Sequence, residues 1–298
     1  MEAKKLQGTW TALITPFKKN GSIDWESFDL LIKRQKEAEV TGILLSGTTG
    51  ESPTITDAEC IDLIKRAKEK AEGKCLIMVG TGTNNTEKSI HKTKEAEKAG
   101  ADVVLLVNPY YNKPTQHGLY LHFKTIAKST NLPVVLYNIK GRTGVNLETE
   151  TLVKLANKVK NIIGVKEASG DLDQIKSVCD QKLENFIVLS GDDNITFQII
   201  KDYGVNGVIS VASNIIPEKM VKMINLSLNK ETEEAGKIND ELESLFKILF
   251  IETNPIPIKY AAYEMGLCQN IYRLPMCEIE KSNGELVKEE LKRMNLIK

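Results

Sequence analysis

The feature that most restricts the fold of this chain is a short apolar run followed by a helical stretch, a pattern that recurs eight times between residues 8 and 225. The first run, 8–16, ends at Pro16, passes a turn at Asn20-Gly21 and enters a helix over 24–39. Runs then alternate with helices as 42–45 and 57–71, 75–79 and 86–99, 103–107 and 115–129, and 134–137 and 148–158. The series closes with 162–166 and 171–179, 186–189 and 194–202, and 208–211 and 217–225. The runs are apolar at successive positions, as strands covered on both faces are. Eight such units joined by right-handed crossovers predict a closed parallel (β/α)8 TIM barrel, with a doubly wound open sheet as the main rival.

Residues 226–298 change character, with Glu, Lys and Leu recurring at helical spacing. They predict a helical C-terminal extension on a catalytic barrel of residues 1–225. Asn254-Pro255-Ile256-Pro257 interrupts the extension and restarts a helix through Lys259 and Tyr263, and Arg273-Leu274-Pro275 interrupts it again. No Gly/Ser-rich linker separates the two parts, so they are expected to pack together.

Bulk properties narrow the chemistry. With 298 residues, 41% hydrophobic and 27% charged, the chain can bury a large core. Forty basic residues balance forty acidic ones, so no net field draws it to nucleic acid or an anionic membrane. No apolar run nears the roughly 20 residues of a membrane span, and Met1-Glu2-Ala3-Lys4-Lys5-Leu6 lacks a signal-peptide core, so a cytoplasmic protein is expected. Cys60, Cys75, Cys179, Cys268 and Cys277 are odd in number and form no CxxC pair, which argues against a disulfide framework or a zinc site. His91, His117 and His122 form no ligand cluster, and no metal is expected.

In a parallel barrel the chemistry sits where strands end and the following loops begin. Strand six ends in Gly164-Val165-Lys166-Glu167-Ala168-Ser169-Gly170, which puts a lysine where an apolar run stops. Such an amine either snorkels to water or has lost water, gained a depressed pKa and become a nucleophile toward carbonyls. Its company favours the second. After strand two, Ser46-Gly47-Thr48-Thr49-Gly50-Glu51-Ser52 offers consecutive N–H groups and two threonine hydroxyls, either as a nest for a carboxylate or as a tight turn capping a helix. Glu51 in that loop is expected to face solvent. After strand three, Gly80-Thr81-Gly82-Thr83-Asn84-Asn85-Thr86 starts like a dinucleotide fingerprint but has Asn85 where the third glycine belongs; a helix cap at Asn84 or Thr86 explains it better.

After strand four, Tyr110 and Tyr111 stand in a proline-bounded loop, as proton relays or as packing. Strand five ends at Tyr137, and Arg142 follows in a loop that Gly141 and Gly144 make pliant, suited to a bidentate grip on a carboxylate or to a surface ion pair. Lys140 lies in the same polar loop and is expected to stay protonated. Ser190-Gly191-Asp192-Asp193 reads as an aspartate opening a helix, and strand eight, with Ile209, gives a small apolar rim. One desolvatable amine, a hydroxyl-rich nest, tyrosines and an arginine, without a P-loop or a cysteine nucleophile, fit cofactor-free imine chemistry on a keto acid.

The motifs GTTGES (47–52), NPYYNKP (108–114), YNIKGRTG (137–144), GVKEASG (164–170), SGDD (190–193) and ETNPIPIK (252–259) together resemble the dihydrodipicolinate synthases, within the pyruvate-dependent class I aldolases. The likeness runs in one order along nearly the whole chain. It implies condensation of pyruvate with L-aspartate 4-semialdehyde, the 4-hydroxy-tetrahydrodipicolinate synthase step of the diaminopimelate and lysine pathway. By that resemblance Lys166 forms the Schiff base with pyruvate, and Thr48 and Thr49 hold the pyruvate carboxylate. Tyr137 moves protons together with Thr48 and Tyr111, the last reaching across a subunit interface. Arg142 meets the second substrate's carboxylate, and Gly191 and Ile209 line the site through backbone groups. The implied assembly is a homotetramer of two tight dimers; dimers also occur. Sister aldolases that cleave sugar-derived keto acids, such as N-acetylneuraminate lyase, usually lack the arginine, so Arg142 favours the synthase.

Four residues at two places depart from the family's pattern. Lys140 stands where a proline is usual before Gly-Arg-Thr-Gly, which removes a restraint on the Arg142 loop. Asp57, Cys60 and Lys88 stand where lysine-inhibited members often carry two histidines and a glutamate, and a cationic Lys88 repels an incoming ammonium. Feedback inhibition by L-lysine is therefore expected to be weak or absent, with none measurable below about 1 mM, the upper end of ordinary metabolite affinities. Inhibition below that concentration in a steady-state assay would overturn the expectation.

Overall fold

The computed structural model describes residues 1–298. Eight parallel strands close into a barrel in sequence order: β1 (Gly8–Ala12), β2 (Gly42–Leu45), β3 (Leu76–Gly80), β4 (Val103–Val107), β5 (Val134–Asn138), β6 (Ile162–Glu167), β7 (Ile187–Ser190) and β8 (Gly207–Ser210). The closed ring excludes the open-sheet alternative, since β1 pairs with both β2 and β8. Between strands run α1 (Trp25–Glu37), α2 (Asp57–Ala71), α3 (Thr86–Ala99), α4 (Gln116–Ala127), then α5 (Lys140–Thr143) and α6 (Thr149–Lys158) together, α7 (Leu172–Gln181) and α8 (Asp193–Tyr203). After β8 come α9 (Pro217–Leu228) and the C-terminal α10 (Thr232–Ile248), α11 (Ile256–Glu264) and α12 (Lys281–Arg293).

Helix starts follow local chemistry. Asp24 caps α1 by accepting from the Ser27 N–H, and Thr56 and Glu59 form a reciprocal capping box on α2. On α3 the cap is Asn85, between the two residues expected, and it accepts from the Lys88 N–H at 2.9 Å. The eighth unit's helix, α9, runs to Leu228, three residues past the expected end of the barrel at 225. In the extension, α10 packs against α8 and α9, and α12 against α10 and α11.

Closing the barrel splits the apolar residues into two cores. Sixty-two buried side chains fill the layer between strands and helices, whereas fifteen, among them Trp10, Leu44, Met78, Leu105, Val135, Tyr137, Leu189 and Ile209, form the second cluster, inside the ring. The floor is shut by Trp10, whose indole N–H donates to the Leu6 carbonyl at 2.7 Å from a 3₁₀ turn at Ala3–Leu6. Gly42 on the neighbouring strand makes room for that ring: a Cβ there would come within 2.3 Å of Trp10 and 2.7 Å of the Leu76 carbonyl. Neither a packed indole nor strand backbone yields cheaply. Gly42→Ala is therefore expected to lower unfolding stability by about 1–3 kcal/mol, the usual cost of overpacking, read from a denaturant midpoint. An unchanged midpoint would mean that the floor is looser than its geometry.

Candidate functional site

Strand register builds the site. Tyr137 of β5 and Lys166 of β6 are paired residues on adjacent strands, so their side chains enter the barrel interior side by side. Lys166 Nζ lies 4.4 Å from the centre of the Tyr137 ring. The next residue on each strand, Asn138 and Glu167, points the other way, and Asn138 Nδ2 donates to the two Glu167 oxygens at 3.2 and 3.1 Å. Glu167 also accepts from the Ser169 N–H at 2.8 Å, and Asn138 Oδ1 accepts from Asn108 Nδ2 at 2.8 Å. This buried polar network ties the ends of β4, β5 and β6 to one another, directly behind the lysine.

Lys166 is only 6% exposed. Burial pulls its pKa down to about 8, with Arg142 pushing the same way and Asp192 and Asp193 pulling partly back. Burial raises the Tyr137 phenol well above its ordinary value, an effect that Asp192 strengthens and that Arg142 and a hydrogen bond with Thr48 oppose. At neutral pH, then, the phenol keeps its proton while about one amine in ten has lost its own. Gly191 leaves the lysine room: a Cβ there would meet Lys166 Cε at 3.1 Å and Ala168 Cβ at 2.4 Å.

A cavity of about 670 Å³ reaches this pair at Tyr137, which lines it together with Thr48, Tyr110, Arg142 and Thr143 among others; Lys166, beside the phenol ring, is outside the lining. Of the threonine loop, Gly50, Glu51 and Ser52 spend their N–H groups closing the turn onto Gly47 and Thr48, whereas Thr48 and Thr49 have no backbone acceptor in the chain. Two adjacent free N–H groups are what a carboxylate nest requires, and the loop does not cap α2, which Thr56 does. Arg142 is placed by α5 and not by a pliant loop: Arg142 and Thr143 N–H groups both bond to the Ile139 carbonyl, and the Thr143 hydroxyl bonds to it again at 2.9 Å. That turn restrains the arginine without the proline that Lys140 replaces; Lys140 itself is exposed.

Other expected members stand apart. Thr49 is buried beside Asn254, and Ile209 is wholly inside the barrel cluster, paired with Trp10 on β1. Tyr111 is 90% exposed, in the left-handed backbone region with φ 75°, away from the cavity lining. At the cavity's outer end lie Asp57, Lys88 and Lys92, with Asp57 2.9 Å from Lys92; Cys60 turns away and accepts from the Ser46 hydroxyl at 3.4 Å.

The aspartates do open α8, with Asp192 at the cap position but without a side-chain cap bond, and Asp193, the first helical residue, is buried and accepts from the Val211 and Ala212 N–H groups at 2.9 and 2.8 Å, fastening the end of β8. One acid departs from its sequence reading. Glu51 does not face solvent. It is 3% exposed, ion-paired at 2.5 Å with the fully buried Lys259 of α11, and accepts the Arg273 N–H at 3.1 Å. Only the ETNPIPIK motif pointed toward Lys259, and nothing local linked it to Glu51. Because removing one partner strands a buried charge, Lys259→Met alone is expected to cost about 3–5 kcal/mol, and Lys259→Met with Glu51→Leu to recover most of it. A double variant that loses the sum of the two single-variant losses, read by denaturant unfolding, would show that the pair does not act as a unit.

A family model for the dihydrodipicolinate synthetase family matches residues 5–294. A 4-hydroxy-tetrahydrodipicolinate synthase of Endomicrobium trichonymphae is 48% identical over 98% of this chain and 99% of its own. Among solved structures, dihydrodipicolinate synthase from Aquifex aeolicus superposes with a TM-score of 0.95 at 43% identity, covering 97% of this chain and 98% of that one. A monomeric dihydrodipicolinate synthase variant gives 0.96 at 43% identity over 99% of both chains. With the closed barrel, the buried lysine and these matches together, the chain belongs to the dihydrodipicolinate synthetase family.

Proposed function

We propose how this chain's residues carry out the 4-hydroxy-tetrahydrodipicolinate synthase reaction, a lyase-class condensation of pyruvate with L-aspartate 4-semialdehyde in diaminopimelate and lysine biosynthesis. The observation that supports it best is a buried amine, held near pKa 8, against a protonated tyrosine at the foot of a cavity. The neutral Lys166 amine attacks the keto carbon of pyruvate, whose carboxylate sits on the free N–H groups and hydroxyls of Thr48 and Thr49. Tyr137 gives a proton to the departing hydroxyl as the carbinolamine loses water, and Thr48, which lines the cavity with it, passes protons onward. Loss of a methyl proton converts the iminium to an enamine, which attacks the aldehyde carbon; cyclisation releases the lysine.

Arg142 takes the aldehyde substrate's carboxylate at the cavity wall. Gly191 keeps the lysine's flank open, and Ile209 contributes backbone from β8. Tyr111 completes the proton path from a neighbouring subunit; its near-total exposure on a left-handed turn supports that role, since an unpartnered tyrosine so placed is available to another chain. A homotetramer built from two dimers follows the same reading, although one relative is a monomeric variant. The barrel, 1–225, carries the reaction and the extension, 226–298, supports it. A cytoplasmic location belongs to the same proposal, and no helix is long and apolar enough to cross a membrane.

Borohydride reduction with pyruvate is expected to label Lys166, with a trapping rate that rises about tenfold per pH unit up to about 8 and then levels, because the neutral amine is the reactive form. Lys166→Ala is expected to take no label. Label on Lys140, or none on the wild type, would overturn the assignment.

A further inference from the structure

The C-terminal extension touches the threonine nest at two adjacent points. Asn254 Nδ2 donates to the Thr49 hydroxyl oxygen at 3.0 Å, and two residues further along the loop Glu51 is paired with Lys259. Asn254 is 5% exposed, and its Oδ1 has no partner, so the side chain is held in the interior by the Thr49 contact alone. Its main-chain oxygen also faces the other carboxylate-binding residue, with Arg142 Nη2 3.5 Å away. One residue of the tail therefore stands between the two groups assigned to the two substrates.

The chemistry of this contact is directional. A threonine hydroxyl can donate one proton or accept on two lone pairs, whereas a carboxylate only accepts. A hydroxyl that presented a lone pair to the carboxylate would repel it. The Asn254 amide N–H can only donate, so it occupies a lone pair of Thr49 and leaves the threonine's own proton without an acceptor in the chain. Beneath it, the Lys259 ammonium is packed on the Phe17 ring at 4.2 Å and bonded to Glu51, which stops the loop and the start of α11 from sliding past each other. Resting on the assignment of the nest to the pyruvate carboxylate, we propose that Asn254 is a positioning residue: it aims the Thr49 hydroxyl proton at the bound keto acid, with the Glu51–Lys259 pair holding the two segments in register.

The test is a double-mutant cycle on pyruvate binding, read as the pyruvate concentration that half-saturates borohydride trapping at Lys166, with kcat and melting temperature alongside. Asn254→Ala and Thr49→Val are each expected to raise that concentration by about tenfold, the scale of one charge-assisted hydrogen bond, with a much smaller change in kcat. The double variant is expected to be no worse than the weaker-binding single, since both remove the same contact. Multiplying losses, or an Asn254→Ala enzyme that traps pyruvate at the wild-type concentration, would overturn the proposal. Should that variant not fold, Asn254→Asp keeps the shape but accepts where asparagine donates; it is expected to weaken trapping at least as far, and wild-type binding by it overturns the proposal. Failure of the underlying assignment looks different, because the wild type itself would then show no pyruvate-dependent label on Lys166.

Discussion

Removing an amine from water without giving it a carboxylate is the step on which this molecule turns. In a closed barrel, alternate residues of each strand point inward, so the pairing of Tyr137 with Lys166 delivers a lysine into a space otherwise filled by aliphatic and aromatic side chains. Desolvation disfavours its charged form, and the nearest acids act on it from a distance without forming an ion pair. Shift β6 by one residue and Glu167 would occupy the interior while Lys166 went under the helices. The hydrogen bonds from Asn138 and the Ser169 N–H to Glu167 oppose that slip, so a network that touches no substrate still decides which side chain faces the cavity.

A second buried lysine shows that burial alone does not make a nucleophile. Lys259 is less exposed than Lys166, and burial lowers its pKa too, but Glu51 sits at 2.5 Å and draws it back. A close carboxylate keeps the proton on the nitrogen and turns the residue into a structural pin. The contrast separates two uses of one residue type within a single chain: the lysine with a partner joins tail to barrel, and the one without is free to react. It also explains the position of Asp192 and Asp193. Both are placed near enough to oppose the depression of Lys166 without forming an ion pair with it, and Asp193 is held on the Val211 and Ala212 N–H groups.

The barrel was legible in the sequence because its signals are local. Apolar runs, caps such as Asp24 and Thr56, and breaks such as Pro16 each act within a few residues, and eight repetitions leave little freedom in how they close. Lys166, Tyr137, Thr48 and Arg142 were readable for a related reason: strand ends are identifiable from where apolar runs stop, and a barrel gathers those ends at one mouth. Glu51 was misjudged as solvent-facing because its partner lies 208 residues away, and no pattern within the loop reveals a counter-ion carried by the tail. The aspartates at 192 and 193 open α8 as their sequence suggests, but the bonds from the Val211 and Ala212 N–H groups to Asp193 join segments 18 and 19 residues apart and leave no local signal. The short α5 turn was hidden by its glycines, which suggest mobility until Thr143 is seen bonding back to Ile139.

These non-local contacts bear on what the helical tail does beyond adding side chains such as Leu242, Phe246 and Leu291 to the outer core. The floor is closed by Trp10 and needs nothing from α10 to α12, and the interior cluster contains no residue after Ile209. What the tail does reach is the rim: Asn254 at Thr49, Lys259 and the Arg273 N–H at Glu51, and the Arg273 guanidinium at Glu59, Thr54 and Gly21. These grip the β2–α2 connection, the first turn of α2 and the turn after β1, the segments around the nest. A loop that presents two bare N–H groups has given up internal hydrogen bonds, and it needs outside contacts to hold that shape before substrate arrives. The tail supplies them through Asn254, Lys259 and Arg273, none of which lines the cavity, so the loop is held without filling the space in front of it.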